Sequence, residues 1–111
     1  MNYIKNVPFE EVFDLFGSID AEEGQVVSKT LSQNSHHSIT LFAMSKNEEI
    51  STHESNGDAL VYVHEGIGEF MIAGVRHVLE ANQSIVMPHN VPHRVKSLSY
   101  LKFALIVVFE Q

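Results

Sequence analysis

The stretch Ala59–His93, ALVYVHEGIGEFMIAGVRHVLEANQSIVMPHNVPH, decides the fold class of this 111-residue chain. It contains four short runs rich in β-branched and aromatic residues, which are ALVYVH, GEFMIAG, RHVLE and QSIVMP. Polar turn residues separate these runs, and such close spacing is typical of antiparallel strands in a sandwich or a barrel. The stretch therefore predicts all-β structure.

The same pattern extends on both sides of this stretch. VVSKTL and SITLFAM precede it, and HRVKSL and LKFALIVVF continue it towards the C terminus. No linker, low-complexity segment or long repeat interrupts this region. We therefore expect one β domain over residues 26–111, preceded by an N-terminal helical cap over residues 1–25.

The N-terminal cap carries a helical pattern. In VPFEEVFDLFG, apolar side chains recur at i, i+3, i+4 and i+7, at the positions Phe9, Val12, Phe13 and Phe16. Pro8 lies near the start of this pattern and Gly17 just beyond its end, as is common at helix termini. The pattern predicts one short amphipathic helix.

Composition excludes several classes of partner. The formal net charge is −7 with only seven Lys and Arg residues, so we expect neither a nucleic acid nor a membrane as partner. The absence of cysteine leaves histidine and carboxylate as the plausible metal ligands. The N terminus lacks the apolar core of a signal peptide, and the run FALIVVF is too short to span a bilayer. These features predict a cytoplasmic protein.

The region from Ser45 to Val108 resembles the cupin family in two motifs. The first family motif reads Gly, five residues, His-x-His, three or four residues, Glu, six residues, Gly, and it matches here at His53 and Gly66. The second reads Gly, five residues, Pro-x-Gly, two residues, His, three residues, Asn, and it matches at Pro88 and His93. The resemblance implies an antiparallel double-stranded β-helix, which is the jelly-roll barrel of cupins.

Asparagine occupies three glycine positions of these motifs, at Asn47, Asn82 and Asn90. Asparagine is the non-glycine residue that best tolerates left-handed backbone angles. We therefore expect the three turns to keep the family's backbone conformation.

Two of the four usual cupin metal ligands are replaced. The second histidine of the His-x-His pair is Ser55, and the glutamate position, counted back from Gly66, is Ala59. The resemblance therefore implies a metal site that consists of His53 and His93.

Two auxiliary residues could complete this site. Asp58 lies one residue before the lost glutamate, so it would need a β-bulge to face inward; otherwise it is a turn residue. His36 and His37 open a predicted strand, where adjacent side chains face opposite sides, so one of them can point inward. We take His37 as the candidate, with a solvated pair at the strand end as the alternative.

The segment MPHNVPH, Met87 to His93, contains two histidines with different expected roles. The resemblance directs His93 into the barrel, whereas His89 falls in the turn and is expected to be exposed. Pro88 and Pro92 restrict the backbone between them and thereby hold the loop that carries His93.

The resemblance implies a small cupin that binds a divalent transition metal (Zn, Ni, Fe or Mn), a small molecule, or both, inside the barrel. The alternative is a metal-dependent enzyme of dioxygenase, isomerase or decarboxylase type acting on a small organic substrate, which requires at least one compensating ligand. No Ser-His-Asp spacing, phosphate loop or paired-carboxylate element is present, so no catalytic residue is assigned.

The last apolar run, LKFALIVVF, predicts a homodimer. Its residues alternate between two faces, and both faces are apolar. One face can fill the barrel interior, but the other, either Ala104, Ile106 and Val108 or the opposite set, needs cover from outside. A short helix can cover only part of it, so we expect a second copy of the chain to cover the rest.

Overall fold

The computed structural model describes residues 2–111, and nine β-strands dominate it. They are β1 Val26–Gln33, β2 His37–Met44, β3 Glu49–His53, β4 Asp58–Glu65, β5 Gly68–Ile72, β6 Val75–Leu79, β7 Ser84–Met87, β8 His93–Ser97 and β9 Leu101–Val108. Eight of them coincide with the apolar runs of the sequence, which confirms the prediction of an all-β domain. Only β3, with the polar sequence EISTH, was not predicted.

The strands form two antiparallel sheets. The larger sheet has the order β1-β2-β9-β4-β7, and the smaller has the order β3-β8-β5-β6. The predicted all-β fold with antiparallel sheets is therefore confirmed, but the barrel is not closed. Within residues 2–111 each sheet pairs only with its own strands, so the two sheets face each other as an open sandwich.

Apolar side chains fill the space between the two sheets. Phe103 on β9 stacks on Phe42 with a centroid distance of 4.9 Å and meets Phe70 edge to face at 5.6 Å. Phe70 and Phe103 are almost completely buried, as are Val61 and Val63 on β4. The space between the sheets is thus a packed apolar core.

The predicted N-terminal helix does not form. Within residues 2–111 the only helical element is a 3₁₀ turn over Phe16–Ser18, and no helix is long and apolar enough to cross a membrane. Glu10 has a φ of 60°, which no α-helix accommodates, and Val12 is fully exposed. Of the four apolar residues in the helical pattern, only Phe16 is buried. Residues 2–25 therefore form an irregular arm.

The arm covers one end of the outer face of the larger sheet. Phe16 and Ile19 pack there in a second apolar cluster with Leu31 on β1 and Leu41 on β2. Lys102 on β9 is buried beneath the arm, and its Nζ donates a hydrogen bond to the carbonyl oxygen of Phe16 at 2.8 Å. The arm thus replaces the predicted helix as cover for part of the sheet.

Candidate functional site

A β-bulge places His53 opposite His93. Ile50 on β3 pairs with Val95 on β8 in regular register, but His53 pairs with His93, so β3 has one extra residue between the two pairs. In a regular strand, residues three apart such as Ile50 and His53 would point to opposite faces of the sheet. The bulge therefore turns His53 to the side on which His93 lies.

The two imidazoles face each other through their Nε2 atoms. These atoms are 3.0 Å apart, and the rings meet at 74°. The Nδ1 of His53 donates a hydrogen bond to the carbonyl of Ser51 at 2.9 Å, and the Nδ1 of His93 donates to the carbonyl of Val91 at 3.2 Å. A carbonyl oxygen can only accept a hydrogen bond, so both Nδ1 atoms carry a hydrogen. In the neutral rings each Nε2 then points a lone pair at the Nε2 of the other ring. This contact is favourable only when a cation, a proton or a metal ion, lies between them.

The two histidines differ in environment. His93 is only 4% exposed, whereas His53 lies at an exposed edge strand. Burial lowers the pKa of His93 below its usual value of 6.5, and the nearby His53 lowers it further. His93 therefore resists holding a proton and remains available as a neutral nitrogen ligand.

The loop that carries His93 is fastened by Asp58 and His89. One carboxylate oxygen of Asp58 accepts hydrogen bonds from the backbone N–H and from the Nδ1 of His89, both at 2.8 Å. The hydrogen bond from the His89 side chain holds the pKa of Asp58 below its usual range. The backbone N–H of Asn90 also donates to the carbonyl of Ser55, at 2.7 Å. Asp58 therefore supports the loop, and within residues 2–111 it does not form a group of three with the two histidines. Its role as an auxiliary ligand stays a prediction.

His37 also lies apart from the histidine pair. It opens β2, and its Nε2 is 3.0 Å from the hydroxyl of Ser32. The residues at the two replaced ligand positions do not supply a further metal ligand. Ala59 is buried in the core, and the Ser55 hydroxyl accepts a hydrogen bond from the backbone N–H of Gly57. Within residues 2–111, no group of three or more His, Asp or Glu side chains is arranged to hold a metal ion.

The three asparagines at glycine positions adopt left-handed backbone conformations. Their φ angles are 66° at Asn47, 70° at Asn82 and 57° at Asn90. This confirms the sequence prediction. The turns beside both histidine-bearing strands therefore keep a glycine-like backbone.

The donor set fits two ligands of a divalent transition metal. Two nitrogens bound at right angles to one metal, each at roughly 2.0–2.1 Å, lie about 3 Å apart. This is the separation of the two Nε2 atoms. A backbone carbonyl behind each Nδ1–H fixes the ring orientation, as outer-sphere partners do in metal sites. The remaining coordination positions would belong to water or to a bound small molecule.

The sequence did not identify every residue that shapes this site. The carbonyls of Ser51 and Val91 fix the ring tautomers, but backbone acceptors have no signature in composition or spacing. An available signal was the odd spacing between Ile50 and His53, which places both on one face only when a bulge intervenes.

Comparison with known proteins places the chain in a family. The family model for the cupin domain matches residues 40–109. A conserved protein of unknown function from Streptococcus pyogenes is similar in structure, with a TM-score of 0.95 and 34% identity over 100% of this chain and 97% of that chain. A cupin superfamily protein from Desulfitobacterium hafniense has a TM-score of 0.91 and 26% identity over 96% and 98% of the two chains. No functionally curated protein matches the chain. On the family match and the similarity to these structures, this chain belongs to the cupin family.

Proposed function

We propose that this protein is a small cupin that binds one divalent transition metal ion through His53 and His93. The observation that carries the proposal is the pair of Nε2 lone pairs facing each other at 3.0 Å, with both Nδ1 atoms engaged by backbone carbonyls. Such an arrangement is stabilised by a cation between the rings, and the low pKa of His93 disfavours a proton there.

The protein's own residues provide two ligands and keep the rest of the coordination sphere open. A bound divalent ion would act as a Lewis acid towards a small molecule at the open positions. Because residues 2–111 offer no third side chain for the metal, we propose binding of a metal with a small-molecule ligand and do not assign a catalytic step.

Metal titration of tag-free protein tests this proposal. Isothermal titration with Zn²⁺ or Ni²⁺ should show one site per chain. His53→Ala or His93→Ala should weaken binding by at least about 100-fold, because even loss of an outer-sphere partner typically costs about 10–100-fold. His89→Ala is the matched control: its ring bonds only to Asp58, and its backbone bond survives the substitution. It should change the affinity by less than about threefold.

Two results would contradict the metal proposal. Unchanged affinity in both His53→Ala and His93→Ala would show that the metal binds elsewhere. Equal losses in all three variants would show that His89 belongs to the site. Metal analysis of protein purified without a tag or chelator would then identify which ion, if any, accompanies the chain.

We further propose that the protein is a homodimer. Beyond the arm, the larger sheet presents an outer patch, which we define as Leu60, Val86, Ile106 and Val108. Cross-strand pairing makes this patch continuous, since Leu60 pairs with both Val86 and Ile106. Leu60, Val86 and Val108 are between 39% and 53% exposed, which is unusual for neighbouring apolar side chains on a monomer.

The arm adds a second exposed apolar surface. Phe9 and Phe13 are 50% and 41% exposed, and Val12 is fully exposed. A two-fold interface places the same surfaces of two copies against each other, so the arm of one copy can cover the outer patch of its partner. Both surfaces together would supply the apolar core that homodimer interfaces contain.

Sedimentation at micromolar concentration tests the dimer. We expect a species of about twice the chain mass of 12.5 kDa. Leu60→Lys should weaken association at least about tenfold, because it would bury an unpaired charge. The control Val78→Lys alters an equally exposed valine on the other sheet and should leave association unchanged. A species of 12.5 kDa at every concentration would exclude the dimer.

A further inference from the structure

Three of the seven cationic residues gather on the outer face of the smaller sheet. Met71 on β5 pairs with Arg94 on β8 and with Arg76 on β6, so the two arginines flank it in one row. In the next row Lys96 pairs with Glu69. In a chain of net charge −7, this face is a local concentration of positive charge.

Glu69 holds the two arginines in place. Its side chain is only 13% exposed; one oxygen accepts a hydrogen bond from Arg76 Nε at 2.6 Å, and the other is 3.8 Å from Arg94 Nη2. The hydrogen bond from Arg76 lowers the pKa of Glu69, and the charges of Arg76, Arg94 and Lys96 lower it further. Glu69 is therefore ionised; it fixes the Arg76 guanidinium by a hydrogen bond and forms a longer ion pair with Arg94. Within residues 2–111 the two guanidinium groups make no other hydrogen bond, so their remaining N–H donors can serve a ligand.

A cavity of about 310 Å³ opens beside this row, lined by Thr52, Met71, Gly74, Pro92, His93 and Arg94. This volume lies at the small end of the range for small-molecule sites. Met71 and Pro92 offer apolar contact, and Arg94 offers charge. Around Gly74 there is open space, since a Cβ added there would meet no atom within 4 Å.

We propose that this cavity binds a small organic anion. The anionic group contacts Arg94, the cationic residue that lines the cavity, and the apolar body of the ligand packs on Met71 and Pro92. A carboxylate suits the planar guanidinium fork, and an aromatic body suits the thioether of Met71. Two acidic residues lie on the same face. Glu49 stands opposite Lys96 in the strand register, and the charge of Glu69 is compensated by the two arginines. His93 also lines the cavity, but the anion is held by the charge of Arg94, so the proposal does not rest on metal binding.

Titration of the metal-free full-length protein with benzoate, followed by ¹H–¹⁵N NMR, tests the inference. Benzoate should shift the amide signals of Met71, Gly74 and Arg94 in a saturable manner. Benzamide has the same shape without the charge and should bind at least about tenfold more weakly, since hydrogen bonds to charged groups contribute about 1.5–3 kcal/mol.

Two charge-matched variants locate the site. Arg94→Gln should weaken benzoate binding at least about tenfold. Lys46→Gln removes the same charge from an exposed residue outside this face and should change the affinity for benzoate by less than about twofold. Benzamide binding as tightly as benzoate, or equal losses in both variants, would overturn the inference. Binding that persists in His53→Ala supports it and separates it from the metal proposal.

Discussion

Replacing Lys102 by methionine should loosen the arm. Lys102 is 7% exposed, and its Nζ donates to the carbonyl oxygen of Phe16 at 2.8 Å and to a carboxylate oxygen of Asp20 at 3.1 Å. A hydrogen bond from a charged donor contributes about 1.5–3 kcal/mol, and the bond to Asp20 adds less than about 1 kcal/mol because that carboxylate is 80% exposed. Methionine retains the buried stem. We therefore expect the free energy of unfolding to fall by about 2–3 kcal/mol.

Urea denaturation measures this loss, and hydrogen exchange locates it. The amides of Lys5, bonded to the Leu31 carbonyl, and of Ala21, bonded to the Tyr100 hydroxyl, should exchange faster in the variant. The control Asp20→Asn keeps the bond to Phe16 and should cost less than about 1 kcal/mol. The reasoning is refuted if Lys102→Met is as stable as the parent protein, or if Asp20→Asn costs as much.

Two further predictions concern pH and backbone conformation. Because the pKa of His93 is lower in the folded protein than its usual 6.5, the unfolded chain binds more protons at mildly acidic pH, so stability of the metal-free protein should decline as pH falls through 6.5. Urea midpoints at about pH 7.5 and about pH 5.0 check this, and His93→Ala should reduce the decline. Gly66 and Gly74 have φ angles of 88° and 80°, but a Cβ on Gly66 would overlap the Tyr100 carbonyl, whereas one on Gly74 meets open space. In thermal unfolding, Gly74→Ala should cost about 1–2 kcal/mol and Gly66→Ala clearly more; equal losses would contradict the packing argument.

Local patterns predicted most of the fold. The period-two alternation in runs such as ALVYVH depends on which face is buried, so the strands could be predicted from spacing alone. The left-handed conformation at Asn47, Asn82 and Asn90 was predictable because it is a property of the residue and its turn. The division between a cap and a β domain at residue 25 stays a prediction.

Features that depend on pairing between distant segments were not predictable. The N-terminal pattern of phenylalanines suited a helix, yet Phe16 instead packs near Tyr62 and His64, which a helical stripe cannot anticipate. The strand β3 is recruited by pairing with β8, since its own sequence is mostly polar. The motif resemblance singled out His53 and His93, but their contact depends on the register of that pairing. Their role as metal ligands stays a prediction.

The bulge in β3 also makes the length of this strand adjustable. Ser51 and Thr52 together stand opposite Arg94, so deleting Thr52 would leave a regular strand in which one residue separates Ile50 from the histidine. That histidine would still face His93, because alternate residues of a strand share a face. β3 lies at the edge of its sheet and is largely exposed, so shortening it disturbs little packing. For protein engineering, Thr52 can therefore be deleted without turning the histidine away from His93, at the cost of one residue that lines the proposed anion cavity.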